Sequence, residues 1–114
     1  MAGQRAFLPS EQLEARDKLR RARIHELLAA GSLQTAEDFH GAAFIYQHGQ
    51  TAADYLLAHV LATTAVSKGD ARSLWISSAT LDRYLKSIGQ PQIFGTQYHS
   101  TNDAPTHKSL MTGS

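Results

Sequence analysis

Thr51-Ala52-Ala53-Asp54-Tyr55-Leu56-Leu57-Ala58-His59-Val60-Leu61-Ala62-Thr63-Thr64-Ala65-Val66-Ser67-Lys68-Gly69 is the stretch that decides the fold. Thr51, with Asp54 three places on, reads as a capping box, and Gly69 as the residue that ends the helix. Between them Tyr55, Leu56, Leu57, Val60, Leu61, Ala62, Ala65 and Val66 surround the helix axis almost completely. A helix that is apolar nearly all round needs cover on several sides. This spacing therefore predicts a central helix over 52–68 in an all-α domain.

The same punctuation recurs outward in both directions. Gly31, Gly49 and Gly89 also close periodic runs, each a good C′ residue for a left-handed turn. Thr35-Ala36-Glu37-Asp38 is a second capping box, Ser10 follows Pro9 as a cap, and Asp70 can cap the run after Gly69. The pattern predicts helices over 11–30, 36–48, 52–68 and 71–88. The first carries a narrow apolar stripe (Leu13, Ile24, Leu27, Leu28) and packs on one side only. The last shows Leu74, Ser78, Leu81, Leu85 and Ile88 at steps of four and three, one clean stripe for the core. Short connections make sequential helices antiparallel neighbours. The expected architecture is a four-helix antiparallel bundle, or stacked helical hairpins, with an extended C-terminal segment packed on one end. Gln34-Thr35-Ala36-Glu37-Asp38-Phe39 echoes Gln50-Thr51-Ala52-Ala53-Asp54-Tyr55. A sixteen-residue spacing is shorter than the repeat arrays, whose units run to about 34 residues, so we read it as one capping solution used twice.

The chain has 114 residues, enough for one domain, and 42% are apolar, enough for a packed core. We expect residues 1–98 to form a single helical domain and 99–114 to be a disordered tail. Eleven basic and ten acidic residues leave a formal charge of +1, which gives no electrostatic reason for nucleic acid or a membrane surface as partner. Arg16, Lys18, Arg20, Arg21 and Arg23 cluster on the first helix, but acidic residues are interspersed, so they read as a solvated face. The absence of cysteine removes disulfides and thiolate metal sites. No signal segment or spanning stretch is present in the sequence, and the default location is cytoplasmic. No phosphate-binding loop, dinucleotide fingerprint or nucleophile elbow occurs, and no cofactor is implied.

Three groupings are candidates for chemistry. If helices two and three turn at Gly49-Gln50, His40 lies level with His59, and the next turn brings Asp82 within about one turn of that layer. Two histidines and a carboxylate suit a metal ion or acid–base work, although a histidine on an apolar helix is more often a satisfied core residue. Gln47-His48 ends the second helix, where His48 serves either the helix dipole or a pocket at the turn. Asp82-Arg83 lies late in the fourth helix. Arg83 falls opposite the apolar stripe and is solvent-facing unless the segment after Gly89 folds back over it, bracing that segment or meeting a ligand anion.

That segment is Gly89-Gln90-Pro91-Gln92-Ile93-Phe94-Gly95-Thr96-Gln97-Tyr98, rich in amides on a non-helical stretch, which is material for a binding site. Together with Gln47-His48 and Asp82-Arg83, it resembles an uncharacterised bacterial helical family. Members of that family carry a Gln-His pair, an Asp-Arg pair on a helix and a terminal Gly-x-x-Gln-x-Tyr/Phe-Gly-Thr-Gln motif. The resemblance spans about half of the chain, and its terminal motif is the specific part. It implies that these polar residues belong together around one pocket, and it implies no reaction.

The leading expectation is a module that binds a small polar ligand or a peptide through Gln47, His48, Asp82, Arg83, Gln92, Thr96 and Gln97, with oligomers open to it through helix faces. One alternative is a small hydrolase or transferase with His48 or His59 as base and Asp82 orienting it. Another is metal binding through His40, His59 and Asp82.

Overall fold

The computed structural model describes residues 10–97, and the tail expected over 99–114 lies outside them. Four helices account for the described chain: α1 (Ser10–Ala29), α2 (Ala36–Tyr46), α3 (Ala52–Ser67) and α4 (Ser73–Ser87). Among the described residues there is no strand. Neighbours in sequence are neighbours in space. α3 packs along its length on both α2 and α4, while α1 leans mainly on α2. The result is a stack of antiparallel helices with α3 inside it.

Both capping boxes form. Thr35 and Thr51 each accept the backbone N–H of an aspartate three residues on, and Asp38 and Asp54 each return a bond to the cap residue. Gly49 departs from expectation, because it does not adopt positive φ, whereas Gly31, Gly69 and Gly89 do. Its reason is space: a Cβ at Gly49 would lie 2.3 Å from the Asp54 Cβ. The start of α4 also differs. Asp70 does not cap the helix directly; it accepts the Arg72 backbone N–H at 3.0 Å and holds a turn just ahead of Ser73.

The core is built from small side chains. Ala42, Ala43, Ala58, Ala62, Ala65 and Ala79 are buried, with Leu61, Ile76 and Tyr46 as the larger members. Alanine at a helix contact lets axes approach towards the short end of the usual 8–10 Å range. This explains two corrections. Leu56 and Val60 of α3 face solvent, so α3 is not covered all round. More importantly, the stripe Leu74, Ser78, Leu81, Leu85, Ile88 does not face the core. Leu74 is 60% exposed and Ile88 45%, while Ser73, Ile76, Ala79, Thr80 and Asp82 are buried. α4 turns its small and hydroxylated face to the alanines of α3, where bulky leucines would hold the helices apart. The hydroxyls find partners there: Thr80 Oγ1 donates to the Ile76 carbonyl at 2.7 Å, and Ser73 Oγ lies 2.6 Å from His40 Nδ1.

α1 shows a further difference. Arg21, expected on the solvated face, is 8% exposed. With Ile24 and Leu28 it forms the contact row at steps of three and four.

Candidate functional site

The rotation of α4 sets the geometry of everything polar at its C-terminal end. With the leucine stripe outward, Arg83 on the opposite side turns inward, and Asp82 sits at the flank. The segment after α4 then closes over Asp82.

Asp82 is fully buried, and its carboxylate is saturated from that segment. Oδ1 accepts the backbone N–H groups of Ile93 at 2.7 Å and Phe94 at 2.9 Å. Oδ2 accepts the Thr96 N–H at 2.9 Å and its hydroxyl at 2.7 Å. Burial alone would push this carboxyl up, but the bonds from Phe94, Thr96 and Ile93 together outweigh it and hold the group below the usual carboxylate range. Gly95, with φ of 71°, bends the chain so that these donors converge on one side chain.

Gln92 completes the loop. It is 3% exposed; its Oε1 accepts the Gln97 N–H at 2.8 Å and its Nε2 donates to the Gln97 carbonyl. One amide side chain thus makes the pair of bonds that a neighbouring strand would make. The Gly95-Thr96-Gln97 run divides the work between its three residues. Gly95 makes the bend, Thr96 bonds Asp82 twice, and the Gln97 side chain continues the network to Arg83.

Arg83 carries the network across the bundle. Its Nε donates to Gln97 Oε1 at 2.9 Å, and its guanidinium donates to the Gln47 carbonyl at 2.6 Å. It lies over the Tyr55 ring, 5.7 Å from the centroid. From the other side of α2, Arg21 donates to the His48 carbonyl at 3.2 Å, stands 3.7 Å from Asp54, and accepts the Tyr46 hydroxyl on its own carbonyl at 2.9 Å. Two guanidinium groups from opposite sides thus satisfy carbonyls that the end of α2 leaves open, and both charges complement the helix dipole.

The structure brings together Gln47, Asp82, Arg83, Gln92, Thr96 and Gln97, and places His48 beside them. Asp82, Gln92 and Thr96 are engaged within the chain. Gln47 enters through its carbonyl. Its side-chain amide and the His48 ring nitrogens have no hydrogen-bond partner among the described residues; the His48 ring meets only the Phe44 ring, edge-on at 5.4 Å. His48, Phe44 and Ile45 form one wall of a shallow groove of about 150 Å³, and Asp17 and Arg20 of α1 form the other.

The His40, His59 and Asp82 layer does not assemble. His40 Nδ1 meets Ser73 at the start of α4, and His59 Nδ1 lies 2.8 Å from the Ser77 carbonyl. Asp82, five residues beyond Ser77, leaves the helix about 140° further round, under the C-terminal segment. Among the described residues no set of three His, Asp or Glu side chains is placed to hold a metal ion, and no histidine hydrogen-bonds Asp82. Ser73, His40 and Asp70 have the composition of a nucleophilic triad but not its geometry. Serine and carboxylate both address Nδ1, at 2.6 and 3.8 Å, and Ser73 is fully buried, so no proton relay to a substrate is possible in this arrangement. Asp70 belongs instead to Arg72, whose hydrogen bonds at 2.7–2.9 Å hold its carboxyl down at about 2.

Reading the residues alone missed Arg21, Tyr46 and Tyr55. The stripe Asp17, Arg21, Ile24, Leu28 was the available signal for Arg21, obscured by the surrounding charge.

No family model, curated protein or solved structure matches the chain.

Proposed function

We propose that this chain is a small helical module that binds a polar ligand or a peptide at the α2–α3 turn, with the Gly95-Thr96-Gln97 segment closing one side of the site. One observation carries the reading. Beside the paired groups of Asp82, Arg83, Gln92, Thr96 and Gln97, the Gln47 amide and the exposed His48 imidazole have no hydrogen-bond partner among the described residues. Polar side chains held by a rigid frame and lacking internal partners are the usual equipment of a recognition site. Arg20 on the groove rim adds an anion contact, Phe44 and Ile45 add apolar contact, and His48 adds ring nitrogens able to donate or accept a hydrogen bond. Asp82, Gln92 and Thr96 act as the frame, with Arg83 and Gln97 linking frame to site.

The acid–base reading has less support, since Asp82 orients no histidine, and the metal reading lacks a gathered ligand set.

The test is an amide-resolved NMR titration with a panel of short peptides and polar metabolites. Hits should perturb Gln47, His48, Arg20 and Gln97 together and be lost in His48→Ala, with helix content unchanged. Substituting Gln97→Ala should weaken the same hits while leaving the helices intact by circular dichroism. Hits that map elsewhere, or survive His48→Ala, would remove this site from consideration.

A further inference from the structure

The two end helices of the stack are finished differently. α1 turns charge outward: Glu14, Arg16, Lys18, Arg20 and Arg23 are all exposed. α4 does the opposite. Its outer face carries Leu74, Trp75 and Ile88, all exposed, with Ser78, Leu81 and Leu85 half-buried between them and no charged residue in the row; Trp75 is 62% exposed. In stacked helical proteins the terminal helix needs a polar outer face, because nothing further covers it. Charge dominates the outer face of α1, around two exposed leucines, Leu13 and Leu19, whereas the outer face of α4 has apolar residues and no charge.

From this asymmetry we propose that two copies of the chain pair back to back through the outer face of α4, giving a twofold dimer whose ends are both α1. The stripe suits itself. It is free of charge, so no like-charge contact arises along it, and Ser78 in its middle allows close approach where the two helices cross. Arg72, at the near end, is already neutralised by Asp70. A twofold pairing uses the same patch on both partners and closes, whereas pairing this face with a different surface would extend without limit. Neither residues 98–114, where Leu110 and Met111 stand among mostly polar neighbours, nor residues 1–9, with Met1-Ala2 and Ala6-Phe7-Leu8, carry an apolar stripe of matching length. With Leu74, Trp75 and Ile88 as its open part, the face is small beside the roughly 1,200–2,000 Å² of stable interfaces, so the dimer should be weak and reversible.

The chain contains one tryptophan, and it lies in the proposed interface. The experiment is sedimentation of the full chain from about 1 µM to about 1 mM, with Trp75 emission followed over the same dilution series. The expected result is a species of twice the 12.5 kDa chain mass at high concentration, with emission shifting to the red as it dissociates. Leu74→Glu and Trp75→Glu, both at exposed positions, should raise the dissociation constant at least tenfold with circular dichroism unchanged. Val60→Glu, on the exposed ridge of α3, should leave it unaltered. A monomer throughout the range would overturn the proposal, as would a dimer that survives both α4 variants or is broken by Val60→Glu instead.

Discussion

Asp82 shows how one side chain holds a segment that has no regular structure of its own. Four donors reach it from residues 93–96, three of them main-chain amides. Asp82→Ala would leave those amides buried without acceptors, a loss of about 3 kcal/mol, read by urea unfolding at neutral pH. The pH dependence has a definite sign. The folded-state carboxyl is held below its unfolded value of about 3.9, so its contribution is complete above that value and is lost as pH falls through the folded one. The stability gap between the wild type and Asp82→Asn should therefore narrow below about pH 4 and be constant above about pH 5. A gap independent of pH would contradict the assignment. Gly49 gives a second check. With Asp54 2.3 Å from where a Cβ would sit, Gly49→Ala should destabilise by about 1–3 kcal/mol although its φ is unexceptional.

Helices were legible in the residue order to the extent that their signals are local. Thr35, Thr51 and the glycines mark boundaries because a cap is settled within four residues, and the observed helices lie within two residues of the expected bounds. The rotation of α4 was not legible. Its apolar stripe is the obvious core candidate, but the neighbouring surface of α3 is alanine, which rewards close approach over bulk. That preference belongs to the pair of helices and neither shows it alone. Arg21 was hidden for a similar reason, since its worth depends on carbonyls 27 residues away. α1 is attached mainly through that arginine, the Tyr46 hydroxyl and the Ile24–Leu28 row. Tyr46→Phe should lower stability by about 1 kcal/mol, and hydrogen exchange should show α1 opening before α3 in the wild type and more readily in the variant. Equal protection of α1 and α3 would refute this ordering.

Considered together, the helices make a plate with α3 inside, a polar face at α1 and an apolar one at α4. The groove beside His48 lies between α1 and the end of α2, and the returning C-terminal segment reaches the end of α2 through Gln97 and Arg83. The grouping is partly legible in the sequence, since the chemistry of Gln47, Arg83 and Gln97 alone suggests that they belong together. Which of them bind one another and which remain open is not, because Asp82, Gln92 and Thr96 have the same donors and acceptors as a ligand site would. In thermal melts, Gln92→Ala should resemble Asp82→Ala, while His48→Ala should melt like the wild type. A large loss in His48→Ala would mean that the imidazole is part of the frame.

The anchoring of α2 by Arg21 and Arg83 has a consequence for how this surface can vary. Both guanidinium groups hold carbonyls of the main chain, and every amino acid supplies a carbonyl. Positions 47 and 48 are thereby released from any duty in assembly, and a saturation library should tolerate nearly all replacements there while rejecting most at 21 and 83. The fold keeps its fastening on the backbone and leaves the two side chains open to retuning.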